Sequence, residues 1–351
     1  MSQTHDPHRP SFSFGNPFKM MLHKGSYLSL RHLALLEIFE GSLAARFKKL
    51  QPKDKNDVLS LPYMTKSLQL LSETHNDIKS FITDLKLPVC GWDNKWIDVY
   101  LENSLKLLDI SIAFTSEISR LSQCQLSLRC CLHDLSSNSS VKPSEARSLL
   151  DCWRQSIRSK NLRIESSFSV LDELAELLHL PKVKNSLEGK LLMRALYGVK
   201  VQSLFICSIL IAAFSGSTKK LMELPVPEEH MWASAFLDLQ SSVNGEIRRL
   251  VGSGRSILVK ELELADVEAN SLLAALKCGG DIPEPNALQS SIAVLRGKAY
   301  ELTQGLDSLT KEVNGFFQVV LTGRDALLSN LRVGSDFSKS SPEFKVQQSV
   351  R

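Results

Sequence analysis

From Leu288 to Val320, apolar or small residues recur at alternating spacings of four and three without a slip. They are Leu288, Ile292, Leu295, Ala299, Leu302, Leu306, Leu309, Val313, Phe316 and Val320. A stripe with a 3.5-residue period keeps one seam turned towards a partner over many helical turns, so it is buried only by laying the helix along other helices. One flank of the seam carries Arg296, Thr303, Thr310 and Phe317, the other Ser291, Lys298, Gly305 and Glu312. These are not the matched opposite charges that select the partner of an autonomous coiled coil. Phe317 and Val319 widen the stripe. The expectation is therefore a seam within the bundle of a monomer, with self-association as the alternative. Gly297, Gly305 and Gly315 lower the intrinsic helicity of this segment.

The rest of the chain follows a helical rather than an alternating period, and 43% of its residues are hydrophobic, enough for a sizeable core. The predicted fold is all-α, an elongated bundle of long antiparallel helices with a C-terminal heptad helix. Helices are expected over Leu28–Leu50, Pro62–Leu85, Asp93–Leu135, Ser144–Arg158 and Ser166–Leu180. Further helices are expected over Val183–Ser217, Glu228–Val251 and Ser256–Leu276, ahead of the heptad helix. Pro52, Pro88, Pro143, Pro225, Pro227, Pro283 and Pro285, with Gly252, Gly254, Gly279 and Gly280, punctuate them. Residues 1–24 read as a flexible arm, 25–330 as one helical-bundle domain with a weak linker near 136–143, and 331–351 as a disordered tail.

Net charge is only +4 and the basic residues are spread along the chain, so nucleic acid is not expected as a partner. Seven irregularly spaced cysteines without a CxxC pair read as reduced thiols rather than zinc or disulfide ligands. The chain contains no GxSxG elbow, HExxH helix, P-loop or dinucleotide fingerprint. No catalytic residue, cofactor or metal is expected, and the chain reads as a protein-binding protein.

Three segments stand out as candidates for function. The charge-free run Val201–Thr218, centred on Leu204, Phe205, Ile206, Ile209, Leu210 and Ile211, suits either a membrane segment or a buried core helix. Eighteen residues at about 1.5 Å each give roughly 27 Å, short of a hydrocarbon core of about 30 Å. Gln202, Ser203, Ser208 and Ser215 weaken insertion further, so a core helix is preferred and membrane contact is the alternative. In the arm, Phe12, Phe14, Phe18, Met20 and Met21 supply apolar side chains that a solvated tail would lack; docking on the chain's own bundle is expected, with a partner or a lipid surface as the alternatives. Glu73, His75, Asp77, Trp92 and Trp96 form a candidate interaction or packing cluster. Glu73 and Asp77 share a helix face, whereas His75 points elsewhere.

Four stretches together resemble the plant Bypass family. They are Phe14-Gly-Asn-Pro-Phe-Lys-Met-Met21, Glu73-Thr-His-Asn-Asp-Ile-Lys79, Trp92-Asp-Asn-Lys-Trp-Ile-Asp-Val-Tyr100, and Leu180-Pro-Lys-Val-Lys-Asn-Ser186 with Gly189-Lys-Leu-Leu-Met-Arg194. The resemblance implies an all-helical, non-enzymatic regulator of root and shoot development that restrains a root-derived mobile signal, carotenoid-linked, which arrests shoot and leaf growth. A related branch implies the alternative of a membrane-associated adaptor contacting the exocyst, and a small-molecule carrier or enzyme of the signal pathway is a further alternative. The resemblance also implies a chloroplast address. Because the match begins at Phe14, a cleaved leader of usual length would remove matching residues, so a cytoplasmic address, at an endomembrane surface, is expected and the chloroplast is the alternative.

Overall fold

The computed structural model describes residues 27–85, 95–136, 143–178, 187–277 and 285–339. Phe12, Phe14, Phe18, Met20 and Met21 of the arm, Trp92, linker residues 137–142 and residues 180–186 lie outside the described residues. Nine α-helices occupy the described chain: α1 Tyr27–Leu50, α2 Leu61–Asp84, α3 Lys95–Ser136, α4 Pro143–Arg158, α5 Leu162–Glu176, α6 Leu187–Ser215, α7 Ala233–Gly252, α8 Lys260–Lys277 and α9 Pro285–Lys339. No strand occurs among the described residues. The fold is an all-α bundle around one contiguous hydrophobic core.

The heptad seam lies at the centre of the packing. From Ile292 to Val320 its residues are at most 2% exposed, and α9 presents them to α2, α3 and α8 of the same chain. Leu288 is half-buried at the start of the stripe, and Phe317 and Leu321 pack beside it, the widening that several neighbouring helices require. Sequence neighbours α1 and α2 run antiparallel, as the Tyr63 hydroxyl on the Leu50 carbonyl and the Phe39–Phe81 ring pair show. Helices α3 and α9 are also antiparallel, Gln125 donating to the Ala299 carbonyl and Arg324 to that of Leu101. By contrast α1 and α6 run parallel, with His32 against Glu188 and Glu40 against Arg194. Helices α2 and α9 are parallel too, with Leu61 near Gly305 and His75 against Phe316. These parallel pairs join segments far apart in sequence, where no short loop forces a reversal.

Element boundaries differ from the periodic pattern where local chemistry decides. Helix α5 starts at Leu162 rather than Ser166, because the Asn161 side chain accepts from the Arg163 N–H and caps it. Helix α7 starts at Ala233 rather than Glu228, since residues 228–232 hold other partners described below. Helix α8 starts at Lys260 rather than Ser256; Ile257, Leu258 and Val259 are buried in a non-helical segment, and the Lys260 N–H donates to the Leu59 carbonyl. Helix α9 continues to Lys339, past Asn330 where the disordered tail was expected to begin. Once a helix is nucleated each added residue contributes a backbone hydrogen bond, and no proline follows until Pro342.

Buried carboxylates tie the layers together. Glu40, 1% exposed, receives both Arg194 nitrogens (2.6 and 3.0 Å), the Met231 N–H and the His230 ring. Burial alone would raise its carboxyl, but these donors hold it down at about 2. Glu117 takes Arg120 through two bonds and Asn161 through a third. Asp266 takes Arg154 and Arg158 from α4.

The glycines of α9 are not equivalent. A Cβ at Gly305 would lie 2.6 Å from Leu61 Cδ1 and 3.0 Å from its Cβ, whereas one at Gly297 or Gly315 would meet nothing within 4 Å. Gly305→Ala is expected to destabilise by about 1–3 kcal/mol through overpacking, and Gly297→Ala or Gly315→Ala to stabilise by up to about 1 kcal/mol each. Chemical denaturation of the three variants checks the opposite signs.

Candidate functional site

The apolar run is buried inside the bundle from Val201 to Ala213, and residues 214–218 are half-buried. Leu204, Phe205, Ile206, Ile209, Leu210 and Ile211 are 0–1% exposed within α6, which packs against α1, α2, α3 and α5. By length and composition α6 is capable of crossing a membrane, yet 94% of its most apolar window is buried by protein. Cys207 shares that environment, and burial pushes its thiol up to about 12.

The expected cluster divides between two environments. Glu73 and Asp77 face α1, where Arg46 places Nη2 2.6 Å from Asp77 and Nε 3.4 Å from Glu73. His75 points the other way, into the core, edge-on to Phe316 and 3.1 Å from Ser203 Oγ. Trp96 is buried in α3. Among the described residues no group of three or more His, Cys, Asp or Glu side chains is placed to hold a metal.

His75 does open onto polar company that sequence reasoning missed. A cavity of about 30 Å³ lies between α2, α3, α5, α6 and α9, with His75, Asn103, Lys200 and Ser203 meeting across walls of Leu107, Leu174 and Val320. The Ser203 hydroxyl donates to the Val199 carbonyl at 2.8 Å, so its oxygen accepts from His75 Nε2–H. Lys200 is 4% exposed and reaches the Leu177 carbonyl at the end of α5. Asn103 is 9% exposed, and its Oδ1 has no partner. The available sequence signal was Lys200 itself, a charge set at the edge of an apolar run. The volume accommodates a water molecule, which needs upwards of about 10–15 Å³. It is far below the roughly 300 Å³ at which pockets for drug-sized molecules begin.

Burial sets the charge states here. It lowers the His75 ring to about 4 and the Lys200 amine to about 8, the latter partly offset by the charge of Glu102. In the unfolded chain His75 takes its proton near 6.5, so its contribution is intact above that pH and is lost as pH falls towards 4, a change of about 3 kcal/mol. Melting curves between pH 7 and 4 are expected to fall more steeply for the wild type than for His75→Gln. The Lys200 penalty is full below pH 8 and vanishes as pH rises past 10.5. Lys200→Met is expected to stabilise the protein at pH 7 by roughly 1–3 kcal/mol, read by denaturant titration.

No family model matches the chain, and no solved structure matches it. Among curated proteins, it is 47% identical over 353 residues to Protein BPS1, chloroplastic, of Arabidopsis thaliana, covering 100% of this chain and 99% of that one. It is 36% identical over 450 aligned positions to UPF0496 protein 4 of Oryza sativa subsp. japonica, covering 97% of this chain and 99% of the relative. With near-complete coverage in both directions, and with the residue words from Phe14 to Arg194 in place, this chain belongs to the plant Bypass family.

Proposed function

We propose that this chain is a non-catalytic scaffold that restrains production of a root-derived, carotenoid-linked mobile signal arresting shoot and leaf growth, and that it acts through its surface. Family membership supports the role of a plant developmental regulator, and the full-length relationship to the Arabidopsis protein carries that part of the reading. The surface part rests on how the polar groups are used. Glu40, Glu73, Asp77 and Asp266 are each bound to an arginine of another helix, and Glu117, paired with Arg120 of its own helix, reaches Asn161 at the start of α5.

Part of what α3 leaves outside, among exposed polar residues such as Asp109 and Ser119, is apolar. Leu105, Ile112 and Leu126, at intervals of seven and fourteen, lie on one line of the helix at 50%, 44% and 60% exposure. A line of this kind suits a protein partner whose own apolar face docks along α3. The name of the Arabidopsis relative supports a chloroplast address, and the position of the family match supports the cytoplasm; imaging a C-terminal fluorescent fusion distinguishes them.

Expression of the chain in a Bypass-deficient plant is expected to restore shoot growth, whereas the double variant Leu105→Asp, Ile112→Asp is expected to fail despite an unchanged melting temperature. Failure of the wild type would refute the developmental reading, and full rescue by the variant would refute the role of the α3 face.

A further inference from the structure

Helices α3 and α4 meet in a register that sets two cysteines opposite each other. Arg120 of α3 donates from Nη1 to the Ser156 carbonyl at 2.6 Å and to the Ser159 hydroxyl at 3.1 Å, near the end of α4. Only residues 137–142 separate the end of α3 from the start of α4, so this contact makes the pair antiparallel. One turn forward on α3 therefore faces one turn back on α4. Those steps lead from Arg120 to Cys124 and from Ser156 to Cys152. Packed helices have axes about 8–10 Å apart and Cα atoms about 2.3 Å off each axis, which leaves facing Cα atoms roughly 3.4–5.4 Å apart at closest. A disulfide spans Cα separations of about 4.4–6.8 Å. The electrostatics agree with the register, for the charge of Cys152 acts on Cys124.

Both thiols are free, and they differ in access. Cys152 is exposed and open to a small oxidant, whereas Cys124 is half-buried at the helix contact. Burial pushes the Cys124 thiol up, and the Arg120 guanidinium, itself held by Glu117, partly offsets this. Other described cysteines compete poorly. Burial pushes the thiols of Cys131 and Cys207 up to about 11 and about 12, and the thiolate is the form that reacts. Cys130 is exposed, but residues 143–149, which lie across from it in the same register, contain no cysteine.

We propose that Cys124 and Cys152 form a reversible redox site, which a hydroperoxide closes into a disulfide. The Cys152 sulfur attacks the peroxide, giving a sulfenic acid and, from hydrogen peroxide, one water. The Cys124 sulfur then attacks the sulfenic sulfur, forming the S–S bond and releasing a second water. Two thiols thus lose two electrons and two protons to one peroxide, and a dithiol reverses the step by becoming a disulfide itself. Closure fastens the middle of α4 to α3, while Arg154 and Arg158 of α4 hold Asp266 of α8. The site needs only this fold and stands apart from the developmental role proposed above.

The test is peptide mapping of the purified full-length chain, fully reduced, treated with an equimolar amount of hydrogen peroxide and capped with N-ethylmaleimide. Trypsin places Cys124 in peptide 121–129 and Cys152 in peptide 148–154, with Cys130 and Cys131 together in a third. Expected is a joined pair of the first two, lighter by two hydrogens than its free halves and lost on adding dithiothreitol. In Cys124→Ser the Cys152 sulfenic acid is expected to persist and to take dimedone, and in Cys152→Ser the Cys124 thiol is expected to stay free. Equal melting temperatures of the reduced chains check that serine leaves the fold intact. In the wild type, a Cys152 that stays capped, that runs on to sulfinic acid, or that bridges to another cysteine or another chain would overturn the proposal.

Discussion

Burial of the α9 seam is the constraint on which the other packing depends. A 55-residue helix with an unbroken apolar stripe has no stable solvent-exposed state, and three helices from different parts of the chain are needed to cover it. At Gly305 the Leu61 side chain of α2 occupies the space a Cβ would need, so only a glycine of α9 fits against α2 there. Helix α6 then lies behind α2 and is enclosed by α1, α3 and α5, which is why so apolar a segment exists without contact with solvent. The hydrophobic effect supplies the drive, but it is non-directional. Orientation is fixed by buried carboxylate–guanidinium pairs, which tolerate little displacement.

The Glu40 site shows this division clearly. One carboxylate joins α1 to Arg194 of α6 and to residues 230 and 231, and the His230 ring stacks against both Tyr197 and Trp232, which also meet each other at 6.0 Å. The segment entering α7 is held by these contacts rather than by helical hydrogen bonds.

Much of the architecture was legible in the sequence because period and punctuation report directly on burial. The heptad, the proline boundaries and the break at Gly254, where φ is +83°, all follow from rules local to a few residues. What escaped was set by distant partners. No pattern within α5 announces that Asn161 rather than a later residue caps it, and no spacing announces that α1 lies parallel to α6. The candidate cluster was legible in part: the common face of Glu73 and Asp77 follows from helix geometry, but their partner Arg46 and the meeting of His75 with Ser203 are products of tertiary packing. Asn103 and Lys200 come together only because α3 and α6 meet there, under α2, α5 and α9.

The distance along the chain between α2 and α9 has a consequence for biosynthesis. About 200 residues separate the end of α2 from the start of the helix that covers it. At a ribosomal rate of about 5–20 residues per second, the buried face of α2, including Met64, Leu68 and Leu71, has no native cover from α9 for roughly 10–40 seconds after it emerges. The nascent chain is thus a long-lived client for chaperones, and a message truncated before codon 285 would encode a product in which the faces of α2, α3 and α8 that α9 covers stay open.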